Sequence, residues 1–268
     1  MIRTQPHVRE AGSGRPVVCI HANASSSGQW RGLTDLLSPT HHVLAPDSYG
    51  SGLSPDWHSD RCISLADEVA FIEPVLTRLQ APVALLGHSY GAAVALKAAL
   101  TFPARVRALV LYEPTLFSLV DAATPPPNRA DGIRNVALAA GAALDAGDRC
   151  SAARTFIDYW MGEGTWESTP MNRRPPIEAS MVNARRWAHA LFTEPTPIQR
   201  FRELDMPVLC MLGKRSTAAA HAVAEILFPA LPRARTVEFE ALGHMGPISH
   251  PEVVNGEIER FLVQAWPA

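Results

Sequence analysis

The prediction of the fold starts from Val83-Ala84-Leu85-Leu86-Gly87-His88-Ser89-Tyr90-Gly91, where an apolar strand pattern runs through Gly-x-Ser-x-Gly into an Ala- and Leu-rich helical pattern. A serine on such a tight strand-to-helix turn is held in a strained backbone conformation, with its hydroxyl above the edge of the sheet. Gly87 and Gly91 have no side chains, so the helix can pack close to the strand and a reactant can approach the hydroxyl. The stretch therefore predicts that Ser89 is a nucleophile. The alternative is a glycine-rich turn with a bystander serine.

Short apolar runs alternate with helical patterns in the first half of the chain, and the alternation returns near its end. The predicted strands cover residues 16–20, 42–45, 82–86, 107–111, 207–212 and 235–240. The helical patterns between and after them cover residues 29–37, 64–79, 90–100, 218–227 and 251–263. Repetition of strand, helix and strand favours a parallel sheet with right-handed crossovers, and therefore an α/β fold.

Residues 115–204 interrupt this alternation. Pro125-Pro126-Pro127 breaks the chain, and helical patterns follow near residues 133–146, 150–161 and 177–192 with no strand between them. An insertion at this place is typical of a lid over the carboxyl ends of the strands, where such folds bind their ligands. We therefore predict a core domain of residues 1–114 and 205–268 and a helical cap of residues 115–204. A decorative helical insertion is the alternative.

The composition fits a compact globular protein without a strongly charged partner. The chain has 268 residues, 47% of them hydrophobic and 19% charged, and a formal net charge of −2. This charge gives no electrostatic reason to expect nucleic acid or an anionic membrane as a partner. Cys19, Cys62, Cys150 and Cys210 lack metal-binding spacing, and Cys19 and Cys210 lie in strand-like runs as small hydrophobes. The start, residues 1–6, has no apolar signal-peptide region, so we expect a cytoplasmic protein.

A serine hydroxyl is a poor nucleophile at neutral pH. It needs a base that takes its proton and a further group that orients this base. Among ten histidines, His244 is the best candidate because the loop Gly243-His244-Met245 follows the last predicted strand closely. An imidazole in this loop can lie above the strand ends, next to the serine. His21 and His88 are expected to serve the local backbone, and His250 to mark the entry to a helix.

The acid that would orient His244 is expected between the serine and the histidine in the chain. The loop at residues 213–218, after the next-to-last predicted strand, contains no carboxylate. Glu113 follows the strand before it, and its longer side chain can reach a histidine from the last loop. It would hold the imidazole in the productive tautomer and stabilise the imidazolium ion. A solvated strand-end carboxylate is the alternative for Glu113, while Asp121 and Asp205 are weaker candidates for the acid.

Two backbone N–H groups are expected to stabilise an oxyanion. One belongs to Tyr90, at the helix start after the serine, where the helix dipole favours negative charge. The other is assigned to Asn23 in the loop His21-Ala22-Asn23-Ala24-Ser25, whose small residues let an N–H group approach a carbonyl oxygen. The side-chain amide of Asn23 can contribute as well. The alternative for Asn23 is an Asx-turn that stabilises the loop.

Together these residues resemble the α/β-hydrolase family. The resemblance rests on the His21-Ala22-Asn23 loop, the Gly-x-Ser-x-Gly turn, Glu113, Gly243-His244-Met245 and Asp47-Ser48-Tyr49-Gly50-Ser51-Gly52. It implies a mostly parallel sheet with helices on both faces and a helical cap inserted between strands 6 and 7. The His-Gly pair that is usual in the family is His21-Ala22 in this chain.

Two details resemble the haloalkane dehalogenases within that family. One is the pattern His-x-Asn-x-x-Ser-Ser-x-x-Trp-Arg over residues 21–31, and the other is an acid after the sixth strand. Those enzymes attack an alkyl carbon with an aspartate, whereas Ser89 occupies the nucleophile position here. The likeness therefore informs the geometry of the site and not the reaction.

The sequence as a whole predicts a serine hydrolase with the triad Ser89, Glu113 and His244 and an oxyanion hole formed by Asn23 and Tyr90. The expected substrate is a small to medium carboxylic ester or lactone, cleaved through an acyl-enzyme intermediate. A C–C bond hydrolase of diketone-like substrates, an acyltransferase or perhydrolase, and a non-catalytic ligand receptor stay open as alternatives. No cofactor, metal ion, nucleic acid or membrane partner is expected beside the small-molecule acyl substrate, and a homodimer stays open.

The predicted cap is rich in apolar and aromatic residues, which suggests a largely apolar pocket. Three tryptophans stand out, Trp160, Trp166 and Trp187. Their helical spacing places them in the core of the cap rather than in contact with the substrate.

Overall fold

Seven strands form one sheet in the computed structural model, which describes residues 5–266. They are β1 (Val8–Ala11), β2 (Arg15–Ile20), β3 (His41–Pro46), β4 (Val83–His88), β5 (Val106–Tyr112), β6 (Val208–Gly213) and β7 (Ala234–Phe239). Their order across the sheet is β1-β3-β2-β4-β5-β6-β7. β1 runs antiparallel to β3, and every other neighbouring pair is parallel. The predicted mostly parallel sheet is therefore confirmed.

Strand β1 is not among the predicted strands. It forms one edge of the sheet, and its two central residues, Arg9 and Glu10, are exposed. Val8 packs only partly against the hydrophobic core and pairs with Pro46, far along the chain. A four-residue edge strand with polar, exposed central residues shows no apolar pattern in the sequence. Its formation depends instead on pairing with a strand that is distant in the chain.

The helices are numbered in chain order along the described residues. They are α1 (Arg31–Leu37), α2 (Leu65–Thr77), α3 (Tyr90–Thr101), α4 (Phe117–Ala123), α5 (Asp131–Asp145), α6 (Arg149–Met161), α7 (Thr165–Ser168), α8 (Arg174–Ser180), α9 (Ala184–Phe192), α10 (Ile198–Phe201), α11 (Ala218–Leu227), α12 (Gly246–Ser249) and α13 (Pro251–Ala265).

Helices cover both faces of the sheet, which explains why its central strands read as continuous apolar runs. All six residues of β4 are buried, as expected for a parallel strand with a layer of helices on each side. On one face, α1 and α13 pack against the sheet in a hydrophobic cluster of their own. On the other face, α2, α3 and α11 pack into a second, larger cluster.

Helices α4 to α10 lie between β5 and β6, and within the described residues this helical insertion contains no strand. The insertion was predicted between strands 6 and 7. The same chain segment lies between the fifth and sixth of the seven strands described, so the strand numbers of the prediction were one too high for this sheet. Side chains of the insertion, among them Phe117, Trp187 and Leu191, join the larger cluster on the sheet. The division into a core of residues 1–114 and 205–268 and a cap of residues 115–204 stays a prediction.

Two glycines allow α3 to lie against the sheet immediately after β4. A methyl group on Gly87 would lie 2.3 Å from the carbonyl oxygen of Gly91. A methyl group on Gly91 would lie 2.3 Å from the carbonyl oxygen of Ile20 and 2.5 Å from that of His21. Both obstacles are backbone atoms, so no side chain can move aside. The close approach predicted for this turn therefore depends on the absence of a Cβ atom.

We expect Gly91→Ala to lower the free energy of unfolding by about 2–3 kcal/mol, because the added methyl group displaces either α3 or the end of β2. The measurement is the midpoint of urea denaturation. Gly256→Ala is the matched control, since no atom of residues 5–266 beyond its own helix lies within 4 Å of the new methyl group. The control should raise stability by about 0.5–1 kcal/mol. Equal effects of the two substitutions would contradict the close approach.

Among the described residues, no helix is long and apolar enough to cross a membrane. Residues 1–4, which carry part of the predicted absence of a signal peptide, lie outside the described residues. Cys19 and Cys210 are free and buried in strands, as predicted.

Candidate active site

Ser89 lies on the turn between β4 and α3 in a backbone conformation that is rare for a residue with a side chain. Its φ is +56° and its ψ is −118°, in a region whose strain must be held by the surrounding structure. The Ser89 N–H group donates to the carbonyl oxygen of Tyr112 at the end of β5, at 2.9 Å. The strand pairing thus fixes the turn, and the serine side chain points away from the sheet towards the loops.

The loop after β7 brings His244 to the serine. The Ser89 hydroxyl donates to Nε2 of His244 at 2.9 Å, and Nδ1 of His244 donates to Oε2 of Glu113 at 2.7 Å. All three residues are buried. They come from the loops after β4, β5 and β7, and the carboxyl ends of these parallel strands meet at one edge of the sheet. The structure therefore joins the three predicted triad residues in one chain of hydrogen bonds.

Glu113 is held by two hydrogen bonds, one from the last residue of β6 and one from the loop that follows it. Its Oε1 accepts a hydrogen bond from the N–H group of Gly213 at 2.8 Å, and its Oε2 accepts one from the hydroxyl of Ser216 at 2.6 Å. The Glu113 backbone has a φ of +44°, which is also uncommon for a non-glycine residue. Residues 213–218 thus have no carboxylate of their own, but they donate hydrogen bonds to the carboxylate of Glu113.

The two weaker candidates for the acid lie elsewhere. The Asp121 carboxylate accepts hydrogen bonds from Nη2 of Arg134 at 2.6 and 2.8 Å. Asp205 precedes β6, so it lies at the amino end of the strands, opposite the serine. Neither residue contacts His244 in the structure.

The predicted oxyanion residues flank Ser89. Asn23 follows β2 and lines the same cavities as Ser89. Within residues 5–266, its buried Oδ1 has no hydrogen-bond partner, so this oxygen forms no Asx-turn. Tyr90 is the first residue of α3, where backbone N–H groups have no acceptor within the helix. Both N–H groups therefore belong to segments next to the serine.

The side chain of Tyr90 points away from the cavities and into the core. Its hydroxyl donates to Oε1 of Glu68 at 3.2 Å, and the N–H group of Tyr49 donates to Oε2 at 3.4 Å. Burial raises the pKa of Glu68 to about 8, although these two hydrogen bonds oppose the shift. Helix α2 thus anchors the first turn of α3 through one buried carboxyl group.

A second chain of hydrogen bonds links the oxyanion loop with the histidine loop beneath the serine. The N–H group of Ala22 donates to Oε1 of Gln29 at 3.0 Å, and Nε2 of Gln29 donates to Nδ1 of His88 at 3.1 Å. Nε2 of His88 then donates to the carbonyl oxygen of His244 at 2.8 Å. Burial holds the pKa of His88 well below its usual range, so the ring is neutral and has one donor and one acceptor. His88 was expected to form a hydrogen bond with the local backbone. It instead forms one with the backbone of the distant loop that carries His244.

Trp160 of α6 covers the imidazole of His244. The two rings are stacked, with 3.8 Å between their centroids and 24° between their planes. An aromatic face also stabilises a cation in front of it. The helical insertion thus contacts the predicted base directly.

Two cavities meet at Ser89. The larger, which we call the outer cavity, has a volume of about 370 Å³. The smaller, which we call the inner chamber, has a volume of about 30 Å³. Both are lined by Asn23, Ser89, Phe156 and Trp160. The outer cavity is otherwise lined by Ala22, Ala24, Ile157, Met161, Thr165, Ser168, Thr169, Pro170, Arg173, Ile177, His244, Met245 and Ile248. The inner chamber is otherwise lined by Thr115, Phe117, Ile133, Ala137, Ala140, Ala184, Trp187, Ala188, Leu191 and Phe192.

The pattern of the α/β hydrolase fold matches residues 15–251, which is most of the chain. This chain belongs to the α/β-hydrolase fold family. The resemblance that was predicted from the turn, the acid and the histidine loop is thereby confirmed.

The chain is also similar to individual proteins, in sequence or in fold. The chain is 26% identical over 258 residues to a pimeloyl-[acyl-carrier protein] methyl ester esterase of Nitrosomonas europaea, covering 92% of this chain and 95% of that protein. It is 33% identical over 119 residues to a cis-3-alkyl-4-alkyloxetan-2-one decarboxylase of Shewanella oneidensis, covering 43% of this chain and 37% of that protein. Its fold is similar to that of an esterase of Exiguobacterium antarcticum, with a TM-score of 0.80, 20% identity, and coverage of 96% and 95% of the two chains.

Several contributors to this α/β-hydrolase site are absent from the sequence prediction. Ser216 and Gln29 contact site residues through polar side chains in loops whose mutual positions the sequence does not define. Trp160 and Trp187 line the cavities although they were expected in the core of the cap, whereas Trp166 is fully buried as expected. For Trp160, the only signal was an aromatic residue in a helix of the insertion.

In the part of the chain that the structure covers, no group of three or more His, Cys, Asp or Glu side chains could hold a metal ion.

Proposed function

We propose that this α/β hydrolase cleaves a carboxylic ester or lactone through an acyl-enzyme intermediate on Ser89. The observation that carries this proposal is the continuous chain of hydrogen bonds from the Ser89 hydroxyl through both nitrogens of His244 to Glu113. A serine needs such a base, and the base needs such an acid, only when the hydroxyl has to become a nucleophile. A protein that merely binds a ligand has no need for the arrangement.

In the proposed reaction, Oγ of Ser89 attacks the acyl carbon while Nε2 of His244 takes the hydroxyl proton. The negative charge of Glu113 stabilises the imidazolium ion, and its hydrogen bond to Nδ1 keeps Nε2 directed at the serine. The N–H groups of Asn23 and Tyr90 stabilise the oxyanion of the tetrahedral intermediate. The bond to the leaving oxygen then breaks, and that oxygen takes the proton from Nε2.

The second half of the reaction repeats these steps with water. His244 takes a proton from a water molecule, whose oxygen attacks the acyl carbon of the ester formed with Ser89. Collapse of the second tetrahedral intermediate returns the proton to Oγ of Ser89 and releases the carboxylic acid. We further propose that the helical insertion acts as a cap, because Trp160 covers His244 and both cavities lie between the insertion and the strand ends.

The name of the Nitrosomonas relative, a methyl ester esterase, supports ester hydrolysis as the reaction class. Most of the side chains that line the two cavities are apolar, which favours a largely apolar substrate. This substrate is the small-molecule partner that the proposal requires.

Labelling with a p-nitrophenyl alkylphosphonate tests the proposal without knowledge of the natural substrate. We expect release of about one equivalent of p-nitrophenolate per protein chain, because an activated serine attacks phosphorus and forms a stable adduct. Mass spectrometry of the digested protein should locate the adduct on Ser89, and Ser89→Ala should remain unlabelled. An unlabelled protein, or an adduct on another residue, would count against the proposed nucleophile. Capture of an ester without turnover would favour a receptor instead.

A further inference from the structure

Gln29 and His88 lie between two parts of the active site. Gln29 belongs to the short helical turn Ser27–Trp30 that follows the oxyanion loop, and His88 is the last residue of β4, directly before Ser89. His88 is fully buried and Gln29 is partly buried. Within residues 5–266, the walls of the outer cavity and of the inner chamber contain neither of them. Any effect of these two side chains on the reaction therefore passes through other groups of the site.

The hydrogen bonds of Gln29 and His88 have one consistent set of donors and acceptors. The N–H group of Ala22 can only donate, so the Gln29 atom that faces it at 3.0 Å is the carbonyl oxygen Oε1. The amide nitrogen Nε2 of Gln29 can only donate as well, so Nδ1 of His88, 3.1 Å away, has to accept. A neutral ring whose Nδ1 accepts carries its proton on Nε2, which faces the carbonyl oxygen of His244 at 2.8 Å. The contacts thus assign His88 to one neutral tautomer.

A second proton on His88 would disturb both this arrangement and the proposed base. It would turn Nδ1 into a donor that faces another donor, the NH₂ group of Gln29. The centroids of the His88 and His244 rings are 5.2 Å apart, so a charged His88 would repel the imidazolium ion that forms on His244. Burial, and after it the neighbouring His244 and His21, hold the pKa of His88 well below its usual range. The reaction is therefore favoured by an uncharged ring at position 88.

We infer that Gln29 is a positioning residue, which keeps His88 neutral with its proton on Nε2. His244 can then take the proton of Ser89 beside an uncharged ring. An amide at position 29 presents a donor to Nδ1 of His88 and an acceptor to the N–H group of Ala22, whereas a carboxylate would present acceptors to both. The inference rests on the proposed ester hydrolysis and adds two residues that act on its base.

Two substitutions of similar size separate this role from a purely structural one. Gln29→Met removes both hydrogen bonds of the side chain. Gln29→Glu keeps the acceptor for the N–H group of Ala22, but it offers Nδ1 of His88 an acceptor in place of the donor. If Gln29 merely held the loops together, Gln29→Met would be the more damaging change. The inference predicts the opposite order, because Gln29→Glu favours a second proton on His88.

We expect Gln29→Met to lower kcat for phenyl acetate by about three- to tenfold, through the loss of two hydrogen bonds. Gln29→Glu should lower kcat at least about tenfold further, because a charge on His88 opposes the imidazolium ion on His244. KM should change by less than about twofold in both variants, since position 29 lines neither cavity. The rates refer to folded protein, whose share is measured by urea denaturation.

Gln80→Glu is the matched control. Gln80 is an exposed residue between α2 and β4, so the same change of charge at this position should leave kcat unchanged. A kcat of Gln29→Glu that equals or exceeds that of Gln29→Met would overturn the inference.

Nitrogen NMR of the protein with ¹⁵N-labelled histidine locates the protons on the His88 ring, whose signals are assigned by through-bond correlation to the backbone. Near neutral pH, the unaltered protein should show the neutral tautomer with the proton on Nε2. In Gln29→Glu the same ring should carry protons on both nitrogens. A proton on Nδ1 in the unaltered protein, or a neutral His88 in Gln29→Glu, would contradict the assigned role.

The proposed function and this role of Gln29 fail in different ways. If no ester is hydrolysed in a manner that depends on Ser89, the proposed function fails. If esters are hydrolysed through Ser89 but Gln29→Met is the slower of the two variants, only the role of Gln29 fails.

Discussion

Ser89→Ala should lower kcat for phenyl esters by about a millionfold, the scale seen when a serine nucleophile is removed from a complete triad. The substitution deletes the atom that attacks the acyl carbon, while the hydrogen bond between His244 and Glu113 stays in place. The melting temperature should change little, since the strained turn is fixed through the backbone N–H group of residue 89 and not through its hydroxyl. Steady-state assays and thermal denaturation of the same preparations measure both quantities.

Three further variants test this expectation. His244→Ala should cost a similar factor, and the double variant should cost little more than either alone, because the serine and the histidine act as one unit. Ser118→Ala removes the hydroxyl of a serine that lines neither cavity and should leave turnover close to that of the wild type. Retention of more than about one hundredth of the wild-type kcat by Ser89→Ala would assign the nucleophile to another residue.

Glu113→Gln should lower kcat by about ten-thousandfold, as expected when the orienting acid loses its charge but keeps its shape. An amide at this position can direct its NH₂ group at Nδ1 of His244, which favours the tautomer with a proton on Nε2. That tautomer cannot take the proton of Ser89. The loss of charge also removes the stabilisation of the imidazolium ion. The measurement is kcat for a phenyl ester at a fixed pH near neutrality.

Ser216→Ala provides a graded comparison for this prediction. It removes one hydrogen bond to Glu113 without removing the charge, so kcat should fall by only about two- to tenfold. Asp121→Asn is the control for the alternative acid and should leave kcat unchanged, because Asp121 pairs with Arg134 and not with His244. A large loss in Asp121→Asn together with a small loss in Glu113→Gln would reverse the assignment.

The fold was predictable because its strongest signals are local. One short continuous stretch of sequence predicts both the strand before Ser89 and the helix after it. The bounds of β4 and α3 agree closely with these two predictions. Glu113 and His244 were expected near the serine because each follows a predicted parallel strand, and parallel strands have their carboxyl ends at one edge of the sheet. Both residues lie at this edge in the structure. Strand β1 escaped prediction because its four residues are held by a partner distant in the chain.

The contacts that the sequence did not predict are those between loops. Residues 213–218 contain no carboxylate, and their sequence does not show that Gly213 and Ser216 donate hydrogen bonds to Glu113. Gln29 and His88 join two loops that are more than two hundred residues apart in sequence. Such contacts depend on the relative height of the loops above the sheet, which apolar periodicity does not encode.

Trp160 has a practical consequence for any attempt to reshape this hydrolase. The same indole ring forms part of the wall of both cavities and stacks on His244. A smaller residue there would enlarge the space for substrates, but it would also remove the ring that stacks on the imidazole, so selectivity and rate would change together. Ile177 and Met161 are better starting points for engineering, because they border the outer cavity and belong to the same helical insertion. Libraries built at these two positions would change the wall of the outer cavity and leave Ser89, Glu113 and His244 unaltered.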